Sequence, residues 1–120
     1  MHPFRALFCF SLFLAFCAAP LVPARSAKPE SLAECLARKG AHVYGASWCG
    51  HCRDQRELFG DEAAKVPYTD CQPEGTFSNI PECVALDIAA FPTWIFRDGT
   101  RILGVRSPAW LARRTGCPAP

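Results

Sequence analysis

Apolar residues fall along this chain in short blocks of differing period, which divide it into a leader and a small α/β unit. Residues 6–19 form an almost unbroken apolar run holding Phe8, Phe10, Leu12, Phe13, Leu14 and Phe16, behind a weakly basic start at His2 and Arg5. The run is too short to span a bilayer and is followed by Pro20, Pro23 and small residues, the layout of a secretory signal. Cleavage is expected near Ala24 to Ser26, so that 1–24 is signal peptide, 25–30 a flexible Pro/Lys tail and 31–117 one folded domain. Cys17 raises a lipoprotein alternative, but Phe16 stands where a lipid-attachment motif wants a small residue.

Beyond the tail, Leu32, Cys35 and Leu36 share one side of a helix predicted over Ser31 to Lys39 and ended by Gly40. Ala41 to Ala46 reads as a buried strand running into a turn at Cys49. A helix from Cys49 continues to about Phe59, with Leu58 and Phe59 packing inward; Gly60 breaks it, and Asp61 caps a further turn through Lys65. Val66 to Cys71 is a short strand, Gln72 to Asn79 a loop by composition, and Pro81 the first turn of a helix reaching Leu86 or Ile88. Thr93 to Arg97 and Thr100 to Gly104 flank Asp98-Gly99 as a hairpin. Ser107-Pro108 starts a last helix over Ala109 to Thr115, which Gly116 ends. The order predicts an α/β sandwich with a parallel strand pair first and an antiparallel hairpin last.

Composition sharpens this picture. Without its leader the domain has about 95 residues and a limited core. The net charge of +2 falls to about +1 once Arg5 is removed, so no strong field points to nucleic acid or anionic lipid. Arg113 and Arg114 read as an ordinary solvated helix end. Cys9 and Cys17 leave with the signal, while Cys35, Cys49, Cys52, Cys71, Cys83 and Cys117 remain. An even set of cysteines in a small exported domain favours disulfides over metal.

The chemistry concentrates at Trp48-Cys49-Gly50-His51-Cys52. Two cysteines three apart at a helix start place both sulfurs on one face of its first turn, where free backbone N–H groups favour a thiolate on Cys49. Protonated His51 adds to that effect, making Cys49 the expected nucleophile. Cys52, one turn deeper, is placed to attack a mixed disulfide on Cys49 and release the partner. A zinc site would need further ligands, and no other cysteine or histidine cluster suggests them, so no metal is expected. Trp48 is expected to pack beside the site and offer apolar surface to an extended substrate. Trp94 and Trp110 read as core or near-core residues, Tyr44 and Tyr68 as strand residues, and His42 as an ordinary half-exposed one. No Ser/His/Asp set, phosphate loop or paired carboxylates suggest another chemistry.

The element order, with CxxC after the first strand, resembles the thioredoxin fold: a three-layer sandwich with a central mixed sheet of about four strands flanked by helices. Phe91-Pro92-Thr93, just before the hairpin, lies where that family carries a cis-proline beside the CxxC, and Gly104 matches a family glycine. Tyr44 to Cys52, Gln55 to Gly60, Pro67-Tyr68 before Cys71, Phe91 to Trp94 and Thr115-Gly116-Cys117 together resemble one subgroup. It is the thioredoxin-like domain fused to bacterial and plant vitamin K epoxide reductase homologues. The resemblance implies substrate binding by Trp48, Phe91, Pro92 and Thr93. It also implies partners among secreted protein thiols and disulfides, and a membrane-embedded quinone-linked oxidoreductase. One departure stands out: Val43 occupies the place of the buried acid that helps deprotonate the resolving thiol of standard thioredoxins.

Cys71 ends a strand and Cys83 lies in the helix after the Pro/Gly loop, so a bridge between them would staple that loop; the resembled subgroup carries a pair at this spacing. A second redox pair feeding Cys49 and Cys52 is the alternative. Cys35 and Cys117 are paired by parity, tying the domain's ends, or each stays free for a partner. The expected function is a periplasmic or secreted, monomeric thiol–disulfide oxidoreductase without a bound cofactor, because the disulfide itself carries two electrons. The alternatives are a metal-binding or metal-delivery module using Cys49 and Cys52, and an inert disulfide-stapled binding domain.

Overall fold

The computed structural model describes residues 27–120. The expected signal peptide over residues 1–24 and its expected cleavage window lie outside the described residues. Residues 27–30 are exposed and outside regular structure, although Glu30 pairs with Arg38 at 2.7 Å.

Helix α1 spans Leu32–Arg38, and Ser31 caps it. The Ser31 hydroxyl accepts from the Glu34 backbone N–H while the Glu34 carboxylate accepts from the Ser31 N–H, which satisfies two otherwise orphaned donors. Strand β1 (His42–Gly45) runs into helix α2 (Gly50–Glu57), with Cys49 at its N-cap. A 3-10 helix at Gly60–Lys65, strand β2 (Tyr68–Asp70) and helix α3 (Pro81–Ala85, with Pro81 in its first turn) follow. Strands β3 (Thr93–Ile95) and β4 (Arg101–Leu103) and helix α4 (Pro108–Thr115) complete the domain.

The sheet order is β2-β1-β3-β4. β1 runs parallel to β2 and antiparallel to β3, which pairs antiparallel with β4. Side chains alternate across β1. Val43 enters a core with Leu32 and Leu36 of α1, Trp94 and Phe96, and Leu111 of α4. Tyr44 enters the opposite cluster with Cys71, Cys83 and Ile88. Both sheet faces are therefore covered by helices, the thioredoxin-like sandwich expected from the resemblance.

Three local expectations are corrected. Leu58 does not pack inward: α2 closes at Glu57, and Leu58 is 48 % exposed while its neighbour Phe59 packs on the core. Asp61 caps nothing; it lies within the 3-10 helix, whose N-cap is Phe59. The hairpin turn is longer than Asp98-Gly99. The Phe96 N–H donates to the Thr100 carbonyl (3.0 Å), the Gly99 N–H donates to the Phe96 carbonyl (2.8 Å), and Gly99 takes φ +80°. That is a three-residue hairpin loop closed by a left-handed glycine.

Gln55 fixes α2 to the sheet. Fully buried, it accepts from the Trp94 indole (3.0 Å) and the Arg106 N–H (2.6 Å), and it donates to the Arg106 carbonyl (3.0 Å). A buried amide with its bonds filled this way orients the helix that carries the cysteines.

Candidate active site

Cys49 and Cys52 are both free thiols. The first is 8 % exposed at the N-cap; the second, one turn on, is 1 % exposed. The Cys49 carbonyl accepts from the Cys52 and Arg53 N–H groups at 3.1 and 3.2 Å, which starts the helix under the sulfurs. Its thiol points at the Phe91 carbonyl, 3.9 Å away. Burial, followed by the hydrogen bond to Cys49, pushes the Cys52 thiol up to about 12. The outer cysteine thus keeps a slight exposure while the inner one is enclosed and holds its proton.

The Phe91–Pro92 peptide is cis and Pro92 is fully buried. Phe91 is half-buried and stands edge-on to Trp48, with ring centroids 6.1 Å apart. Trp48 is 63 % exposed and donates its indole N–H to Gln72 (2.8 Å). Gln72 in turn donates to Asn79 (2.9 Å), which donates to the Ile88 carbonyl (2.7 Å). The loop after β2 therefore holds the tryptophan beside the cysteines. Thr93 is placed differently from its neighbours: it is buried, and its hydroxyl donates to the Ala90 carbonyl at 2.7 Å. His51 faces outward along α2, with its ring nitrogen 3.7 Å from the Asp54 carboxylate and a side chain 78 % exposed.

The other described cysteines are bridged. Cys35 joins Cys117, tying α1 to the end of α4, and Cys71 joins Cys83 across the loop after β2. Among the described residues, no group of three or more His, Cys, Asp or Glu is placed to hold a metal ion.

Two residues read from the sequence only as strand positions belong to the site. The parallel register sets Tyr68 beside Val43 and Asp70 beside Gly45. Gly45 is close-packed there: a Cβ on it would lie 2.5 Å from the Tyr68 hydroxyl and 2.8 Å from the Cys52 sulfur. Tyr68 is itself pushed up, chiefly by burial. Gly45→Ala is accordingly expected to force these groups apart and destabilise the fold by about 1–3 kcal/mol, the usual range for overpacking. Chemical denaturation measures the loss; an unchanged midpoint would show that Tyr68 swings away freely.

No family model matches the chain. Over 90 residues, 72 % of its length, it is 42 % identical to the thiol-disulfide oxidoreductase LTO1 of Arabidopsis thaliana. The chain spans about a quarter of that curated relative, the matched stretch being 24 % of it. The likeness supports a thioredoxin-like oxidoreductase domain with a role in disulfide exchange.

Proposed function

We propose that this chain is an exported thiol–disulfide oxidoreductase that exchanges disulfides with secreted proteins through its Cys-Gly-His-Cys centre, without a bound cofactor. The observation that carries the reading is the contrast among its cysteines. Cys49 and Cys52 stand free at one helix start, while Cys35, Cys71, Cys83 and Cys117 are tied in bridges.

In the exchange, Cys49 attacks a substrate disulfide and forms a mixed disulfide, expelling one substrate thiol. Cys52 then attacks the Cys49 sulfur, leaving a Cys49–Cys52 disulfide and a fully reduced substrate. The reverse sequence oxidises a substrate dithiol. Phe91 and Pro92 shape the groove next to Cys49, Trp48 offers apolar surface edge-on to Phe91, and buried Thr93 braces the loop through its bond to the Ala90 carbonyl. His51, when protonated, adds positive charge to the helix start. A membrane-embedded quinone-linked oxidoreductase of the vitamin K epoxide reductase type is the partner proposed to recharge the centre in the periplasm or an equivalent exported compartment.

The test is equilibration of the mature domain in glutathione buffers, with every cysteine mapped by alkylation and mass spectrometry. Selective exchange of Cys49 and Cys52 is expected, at a potential toward the disulfide-isomerase end of the range from about −270 to about −180 mV. A potential more reducing than thioredoxin's would instead make the domain a reductase. If no pair exchanges selectively, disulfide chemistry is not its function.

A further inference from the structure

Release by Cys52 requires that its buried proton go somewhere, and the fold removes the usual recipient: Val43 is fully buried among apolar side chains. A cleft of about 420 Å³ reaches Cys52 between α2 and β2. The titratable groups lining it are Arg53, Arg56 and Glu57 of α2 and Tyr68 and Asp70 of β2, with Cys49 alongside Cys52 on the helix.

Most of these cannot accept a proton near neutrality. Both arginines are permanently cationic. Tyr68 keeps its own proton, since burial and the neighbouring Cys52 raise it. Glu57 is largely exposed and lies 3.7 Å from Arg53. Asp70 remains, and it is the carboxylate whose charge is felt at Cys52. It is also held in place. Ser47 donates to it from its backbone (3.1 Å) and its hydroxyl, and the Gln72 N–H donates at 3.0 Å. Oδ2 accepts only from the Ser47 hydroxyl, which leaves it a free lone pair.

Resting on the disulfide-exchange reading, we infer that Asp70 is the proton acceptor for Cys52, reached through water in this cleft. The Cys52 S–H bond breaks and its proton passes to the Asp70 carboxylate. The thiolate electron pair forms the bond to the Cys49 sulfur, the mixed disulfide breaks, and the departing substrate thiolate takes up a proton. Oxidation of a substrate runs the same path backward, with Asp70 returning the proton to Cys52.

Asp70 acting merely as a nearby negative charge predicts the opposite kinetic sign from Asp70 acting as base. The charge disfavours the Cys52 thiolate, so removing it should speed release; removing a base should slow it. Single-turnover reaction of the reduced protein with the chromogenic disulfide dithiobis-nitrobenzoate separates the steps, one nitrothiolate per sulfur attack. Asp70→Asn is expected to lower the ratio of second-phase to first-phase rate roughly a hundred-fold at neutral pH, within the usual range for general base catalysis. Its second phase should then climb about tenfold per pH unit, because hydroxide must do the work, whereas the native protein's varies much less. Asp70→Glu, which restores a carboxylate, should recover part of the ratio. A ratio unchanged or raised in Asp70→Asn overturns the assignment, as does a native pH dependence equally steep. A native protein that releases no second equivalent overturns the disulfide-exchange reading, and the proton path with it.

Discussion

Cys49→Ser should lose disulfide exchange outright, by on the order of a thousand-fold or more in reduction of a model disulfide protein. The geometry leaves no substitute. Cys52 is 1 % exposed beneath Cys49, and burial pushes its thiol up, so it carries little of the reactive thiolate at pH 7. Cys52→Ser should behave differently in kind. It retains the outer sulfur, so attack proceeds, but the mixed disulfide has no internal route to release. Substrates should then accumulate covalently bound to Cys49, visible on non-reducing gels and removed by reductant. If Cys49→Ser kept a tenth of the activity, or if Cys52→Ser trapped nothing, the roles assigned to the two sulfurs would be wrong. Comparison with Cys71→Ser/Cys83→Ser also separates the two readings of that bridge: a structural staple leaves single-turnover exchange at Cys49 and Cys52 intact, whereas a redox relay does not.

The parts of this arrangement that were legible in the sequence are those encoded locally. Ser31 and Ser107 announce helix starts because a hydroxyl caps the backbone three residues on. Gly116 announces a helix end because it adopts φ +72°, a conformation that suits glycine. Cys49 and Cys52 are neighbours through the first turn of one helix, whatever the rest of the fold does. The surroundings of Cys52 were not legible in this way. Tyr68 and Asp70 reach it only through the parallel register of β2 on β1, which brings together residues more than twenty positions apart and depends on packing on both sheet faces. Tyr68 therefore looked like any aromatic strand residue. The one local signal was Gly45, a glycine inside a strand, which often marks close approach by another group. Gln55 was hidden for a similar reason. A glutamine in a polar helix reads as surface, and its burial is settled by Trp94 and Arg106, which lie far along the chain. Leu58 erred the other way: its apolar character fits an inward face, but the helix stops before the face continues.

Removing the Cys35–Cys117 bridge should cost more stability than removing Cys71–Cys83. It spans 82 residues against 12 for Cys71–Cys83. In the chain-entropy account the longer loop stabilises by about 4.5 kcal/mol and the shorter by about 3, because each restricts the unfolded chain. Native domains have only about 5–15 kcal/mol in hand, so Cys35→Ser/Cys117→Ser should lower the melting temperature by on the order of 20 °C or more. The bridge also sits where cooperativity is exposed. Cys35 and Cys117 belong to the same core cluster as Leu36 and Leu111, so α1 and α4 meet through the bridge and through apolar contacts at once. Losing the link should therefore unfold the sandwich as a whole, whereas losing Cys71–Cys83 should first loosen the loop that orients Trp48 through Gln72. Denaturant titration followed by far-UV circular dichroism and by tryptophan fluorescence distinguishes these outcomes. Coincident, strongly shifted transitions are expected for the first double variant, and a smaller shift with an early fluorescence change for the second. If the two variants instead lost equal stability, the unfolded chain would have to be compact already between α1 and α4, and loop length would not set the ranking.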